Sequence, residues 1–263
     1  MKLDILLNAL PSNSHHWLAV WQRNFRVWRK LALASMIGNL ADPLIYLIGL
    51  GFGLGLMVGK VDGTPYIAFL AAGTVASSVM MSASFEAMYS AFSRMHVQRT
   101  WEAIMHTPLA LGDIVLGEVV WCASKALLSG TAIMLVAGLM GYANWESVWL
   151  VWPVIALAGL AFSCLAMIVT ALAPSYDFFM FYQTLVLTPM LLLSGVFFPL
   201  GKLPAVVQHI AFLLPLAHAV ALIRPLMLGQ SIANPWLHVD VLALYTAVPF
   251  LIAAALFKRR LTH

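Results

Sequence analysis

The chain has 263 residues, of which 62% are hydrophobic and 9% charged, with a formal net charge of +4. A soluble domain is about 25% charged, so this chain has too few charges to cover a water-facing surface. Disorder is excluded by the same apolar excess, and a mean hydropathy of +0.92 points to an integral membrane protein.

The first 30 residues predict a cytoplasmic arm. Trp17, Trp21, Phe25 and Trp28 recur at spacings of four, four and three, with Arg23, Arg26 and Lys30 mostly on the other side. That pattern is an amphipathic helix lying in the membrane interface. It serves equally well as an anchor or as a platform for a cytoplasmic partner. Residues 5–10 are too short for a signal-peptide core, and no small-residue cleavage site follows them.

About 20 apolar residues of helix cross the hydrocarbon. Six such spans are predicted at 31–58, 66–90, 114–141, 148–173, 178–194 and 238–257, the fifth slightly short. Residues 31–263 thus read as one all-α, six-span membrane domain. The stretch 195–236 is apolar but broken by Pro199, Gly201, Pro204, Pro215, Pro225, Gly229 and Pro235. It cannot be one straight helix, and short re-entrant helices on the outer side are expected instead.

With the N-terminus inside, ten cations are cytoplasmic: Lys2, Arg23, Arg26, Arg29, Lys30, Arg94, Arg99, Lys258, Arg259 and Arg260. Three lie outside: Lys60, Lys202 and Arg224. The bias predicts that both ends are cytoplasmic. Trp145, Trp149 and Trp152 then mark the outer interface.

Between the second and third spans, residues 98–108 predict a short polar helix with Thr100 as N-cap and Pro108 as its stop. Arg99, Trp101, Glu102 and His106 are its candidate docking residues. Asp42, Glu86, Glu118 and Lys125 are charges inside or near the bilayer. Such charges cost about 2.5–3.5 kcal/mol at a helix centre and face protein or water. Asp42 and Lys125 lie at similar depth, which predicts that they pair or share a watery route. Gly51, Gly55 and Gly59 form a small-residue stripe suited to close helix packing, within the chain or across a dimer. Tyr176, Phe178, Phe179, Phe181 and Tyr182 cluster at the cytoplasmic end of the fifth span. They are candidate contacts for sugar rings or acyl chains, or ordinary packing.

No GxxxxGK[ST] phosphate loop, HExxH or GxSxG occurs. Cys122 and Cys164 sit in apolar runs without ligand spacing, His15 and His16 are adjacent near the start of the interface helix, and the other six histidines are scattered, so neither metal nor cofactor is expected in this chain. An ion-gradient transporter would want an inverted repeat, which six spans do not show.

Several segments resemble the permease subunits of type-2 ABC exporters, and more closely the nodulation protein J family of lipo-chitooligosaccharide export permeases. They are LALASMIGNLADPLIYLIGLGFGLG (31–55), QRTWEAIMHTPLALGDIVLGE (98–118), VTALAPSYDFFMFYQTLVLTPMLLLSG (169–195) and FFPLGKLPAVVQHIAFLLPLAHAVALIRPLML (197–228). The resemblance implies a homodimeric permease in the bacterial inner membrane, bound to two copies of a separate ATPase that carries ATP and Mg. It implies that the arm and the 98–108 helix meet that ATPase, and that the cargo is a lipid-linked or lipidated oligosaccharide. Exporters of drugs or small hydrophobic molecules share the architecture.

Overall fold

The computed structural model describes Pro11 and residues 15–261, except the side chains of Asn39, Leu40 and Asp42. The first element is α1 (Trp17–Trp28). Its tryptophans are half-buried and Phe25 is exposed, with Trp21 stacked on Phe25 and both edge-on to Trp121. The aromatic stripe thus packs on Trp121 of the same chain, while Arg26, Arg29 and Lys30 stay exposed.

Helix α2 (Ala32–Val58) follows. It ends at Gly59, whose φ of +68° stops the helix in a conformation side chains resist. Strands β1 (Lys60–Val61) and β2 (Thr64–Pro65) pair in register Lys60↔Pro65. Asp62 and Gly63 make the turn with φ of 48° and 81°. Two positive-φ residues are what a tight hairpin of natural twist requires.

Helix α3 (Tyr66–Phe85) is apolar all round and is the buried centre of the bundle. It packs against α2, against α5 (Leu111–Leu139), against α6 (Val151–Leu172) and against α10 (Pro215–Leu228). Ala68, Ala72, Ala76 and Ala83 permit that close approach. The helix does not stop at Ser90. It continues through two wide turns with i→i+5 bonding, Glu86–Ala91 and Ser93–Val97. A carbonyl freed by the widening, that of Ala87, accepts a bond from Thr170 Oγ1 at 2.9 Å.

Helix α4 (Thr100–Met105) is the short polar helix between the two spans. Thr100 is its first helical residue, not its cap; Arg99 holds the cap position with φ of 50°. Asp113 then caps α5 by accepting the Ala110 N–H at 3.0 Å. Beyond α6, the chain forms α7 (Phe178–Tyr182), a wide turn at Gln183–Leu187 and α8 (Thr188–Leu193). This 16-residue helix is shorter than the five that are long and apolar enough to cross a membrane. The proline-broken stretch contains α9 (Ala205–Leu213) and α10, bent 91° apart. Pro215 holds Leu214 extended and so breaks the helix there. Helix α11 (Pro235–Leu261) packs along α6.

Of the Gly51, Gly55 and Gly59 stripe, the first two face a neighbouring helix and only Gly59 does not. A Cβ on Gly51 would lie 2.9 Å from Ile67 Cγ1, and one on Gly55 4.0 Å from Tyr66 Cδ1, so both face α3 of the same chain. Gly59 has nothing within 4 Å and serves as the helix stop.

A tighter contact lies at Gly117, where a Cβ would meet Val20 Cβ at 2.6 Å and the Trp17 carbonyl at 2.8 Å. Backbone cannot yield there, so Gly117→Leu is expected to lift α1 off α5. A cysteine placed at Val20, now 2% exposed, should then become reactive to a water-soluble maleimide. Protection equal to that in the Gly117 background would show that α1 is held by other contacts.

Candidate functional site

Glu86, Ser90 and Arg94 are four residues apart, and the wide turns of α3 set them in one row. Facing them on α5 are Glu118, Trp121 and Lys125. Arg94 donates from Nε to Glu118 Oε1 at 3.0 Å and from Nη2 to Glu118 Oε2 at 2.6 Å. Its Nη1 donates to Glu86 Oε1 at 3.0 Å. Glu86 also accepts from Trp121 Nε1 at 2.8 Å, Lys125 Nζ at 2.9 Å and Ser90 Oγ at 2.9 Å. Two carboxylates thus face two cations in a largely buried joint, with Glu118 1% and Glu86 6% exposed. A buried charge is tolerable only when paired and hydrogen-bonded this fully.

The joint reaches three other elements. Trp101 of α4 donates from Nε1 to Glu118 Oε1 at 3.2 Å, and its ring lies 4.9 Å from that of Phe257 on α11. Trp28 of α1 meets Trp121 edge-on at 5.9 Å. Arg23 donates to Thr100 Oγ1 at 3.3 Å and to Asn24 Oδ1 at 2.9 Å, linking α1 to α4 directly. Burial and the neighbouring Arg94 guanidinium push the Arg23 guanidinium below its ordinary range, and Glu118 offsets part of that. Beside the joint, Asn24 Nδ2 and Trp28 Nε1 are buried donors with no partner among the described residues. Each such orphan typically costs about 1–3 kcal/mol.

Lys125 pairs with Glu86; the expected partnership with Asp42 concerns a side chain outside the described residues. The reason is the length of α3: it runs eleven residues beyond Glu86 to Val97. That places Glu86 roughly 16 Å from the helix end at about 1.5 Å per residue, deep enough to meet Lys125. Arg94, counted above as a surface cation, is a core residue.

Trp101 also needs correcting as a docking residue, because it is fully buried. The surface of α4 is formed by Glu102 and His106, with Arg99 exposed just before it. Of the aromatic cluster, Phe179 is buried, 5.3 Å from Tyr89 and 5.2 Å from Phe92. It is packing material here and not a cargo surface. Tyr176 and Phe181 are exposed, and Phe178 and Tyr182 are half-buried.

Arg224, placed above among the outer cations, turns inward as well. Its guanidinium donates to the carbonyls of Phe69 and Gly195 and lies 3.6 Å over the Phe69 ring. Among the described residues, no three His, Cys, Asp or Glu side chains gather as a metal site.

A bundle of membrane-length helices, bound by an ion-paired joint to a short surface helix, is the build of a multi-span membrane permease. Residues 15–228 match the ABC-2 type transporter family. Nodulation protein J of Rhizobium meliloti (strain 1021) is 59% identical over 253 residues, covering 96% of this chain and 97% of that one. Nodulation protein J of Bradyrhizobium diazoefficiens is 59% identical over 258 residues, 98% of each. The inner membrane transport permease YadH of Escherichia coli (strain K12) is 25% identical over 250 residues, 93% of this chain and 96% of YadH. The chain belongs to the ABC-2 type transporter family and, within it, to the nodulation protein J family.

Proposed function

We propose that this permease works as a homodimer in the bacterial inner membrane, driven by two copies of a separate ATPase that binds ATP and Mg. Its cargo is a lipid-linked or lipidated oligosaccharide, moved outward. Near full-length similarity to nodulation protein J is the observation that carries this reading. The joint supports the drive mechanism. A push on α4 reaches α3 and α5 through Glu118 and Arg94, and reaches α11 through Trp101 and Phe257. The arm at 1–30 and the domain at 31–263 then divide interface anchoring from transport.

Both termini lie in the cytoplasm on this reading, and 195–236 re-enters from outside, which the 91° break at Leu214 supports. A cysteine at Lys202 should label from outside sealed cells, and one at Arg99 should not. The reverse pattern would invert the topology. For the cargo, vesicles holding permease and ATPase should take up a lipo-chitooligosaccharide only with ATP. Uptake of small hydrophobic dyes instead, with none of the oligosaccharide, would favour the drug-exporter alternative.

A further inference from the structure

We propose that the cavity between α1 and the facing ends of α3 and α5 binds the anionic headgroup of a membrane phospholipid. The cavity measures about 220 Å³ and is lined by Arg23, Arg94, Lys125 and Glu86, with Val27 and Leu31 on its apolar side. A single water occupies about 30 Å³ of liquid, so a phosphate group and its hydration fit.

The charges specify the ligand. In the joint, Arg94 and Lys125 match Glu86 and Glu118. Arg23 is the cation left over: its hydrogen-bond partners Asn24 and Thr100 are neutral, and it forms no ion pair among the described residues. Lys125 donates one N–H to Glu86 and has two more to donate. An excess of donors and one unmatched positive charge call for an acceptor-rich monoanion. A phosphate diester is one.

The cavity also has an amphiphilic mouth. Val27 and Leu31 are 55% and 67% exposed there. They sit at the turn from α1 into α2. A free anion would leave them in contact with water. A phospholipid covers both the donors and the apolar rim.

Native mass spectrometry of the full-length permease in detergent tests this, with phosphatidylglycerol and phosphatidylcholine of equal chain length as probes. One phosphatidylglycerol per chain is expected, held about tenfold more tightly than phosphatidylcholine. Arg23→Gln should abolish that preference and Arg23→Lys should keep most of it, both eluting as the parent does in size exclusion. Arg26→Gln, which removes the same charge from the exposed face of α1, should have no effect. Equal losses from Arg23→Gln and Arg26→Gln would mean diffuse attraction to a basic helix and would overturn the site. So would equal affinity for the two lipids. Displacement by millimolar inorganic phosphate would assign the cavity to a free anion, and stoichiometric displacement by the oligosaccharide would assign it to cargo. Either result overturns the phospholipid. Binding is read without transport, so the outcome is independent of the export proposal.

Discussion

Glu118→Gln is expected to destabilise the permease by about 3–5 kcal/mol, the usual cost of removing one partner of a buried ion pair. Glu118 receives both the bidentate Arg94 fork and the Trp101 indole, and it is 1% exposed. Without its charge, Arg94 and Lys125 share the single carboxylate of Glu86. Thermal unfolding in detergent should show the loss as a clearly lowered midpoint. The double replacement Arg94→Met, Glu118→Leu removes one charge of each sign and leaves the Glu86–Lys125 pair intact. Apolar replacement of a buried pair is often neutral, so the double variant should regain most of the stability. It should not regain export, because the link from α4 to α5 is gone. A double variant that exports normally would reduce the joint to a packing device. Wild-type stability in Glu118→Gln would mean that the joint is wetter than its geometry implies.

The second large effect is expected at Trp101. It is fully buried between Glu118 and Phe257, and truncation of a buried tryptophan to alanine typically costs about 3–5 kcal/mol. Trp101→Ala should therefore lower the amount of folded permease. Trp101→Phe is more informative. It keeps a ring against Phe257, removes the N–H bond to Glu118 and loses less buried volume than alanine would. Trp101→Phe is expected to fold normally and to consume more ATP per molecule exported, as measured in vesicles with the ATPase present. An unchanged ratio would place the transmission elsewhere on α4.

Five of the six expected spans are legible in the sequence because long apolar runs have few alternative structures, and the break at Pro215 is legible because proline forbids a straight helix. The α1 aromatic stripe is legible from its spacing. The joint is only half legible. Glu86, Glu118 and Lys125 stand out as charges among apolar residues, but Arg94 does not. It follows Ser90 and precedes His96, Gln98 and Arg99, a polar run that reads as loop. Helix persists there because Glu118 on another helix accepts its guanidinium and Thr170 satisfies the widened turn. Both are contacts between helices whose register no local pattern records. Trp101 misleads for a related reason. A tryptophan in a short polar helix reads as a surface anchor, yet its direction is decided by Phe257, more than 150 residues away in the chain.

The link between ATP hydrolysis and export is tested most directly on the exposed face of α4. Glu102 and His106 are exposed and have no role in the buried joint. In proteoliposomes of permease and ATPase, the double variant Glu102→Ala, His106→Ala should insert in normal amounts and retain basal ATP hydrolysis. Its ATP-dependent export of lipo-oligosaccharide should fall by about tenfold or more, the effect of losing roughly 1.4 kcal/mol of coupling. Export and hydrolysis both at the parent level would contradict the assignment of α4 as the element through which the ATPase drives this permease.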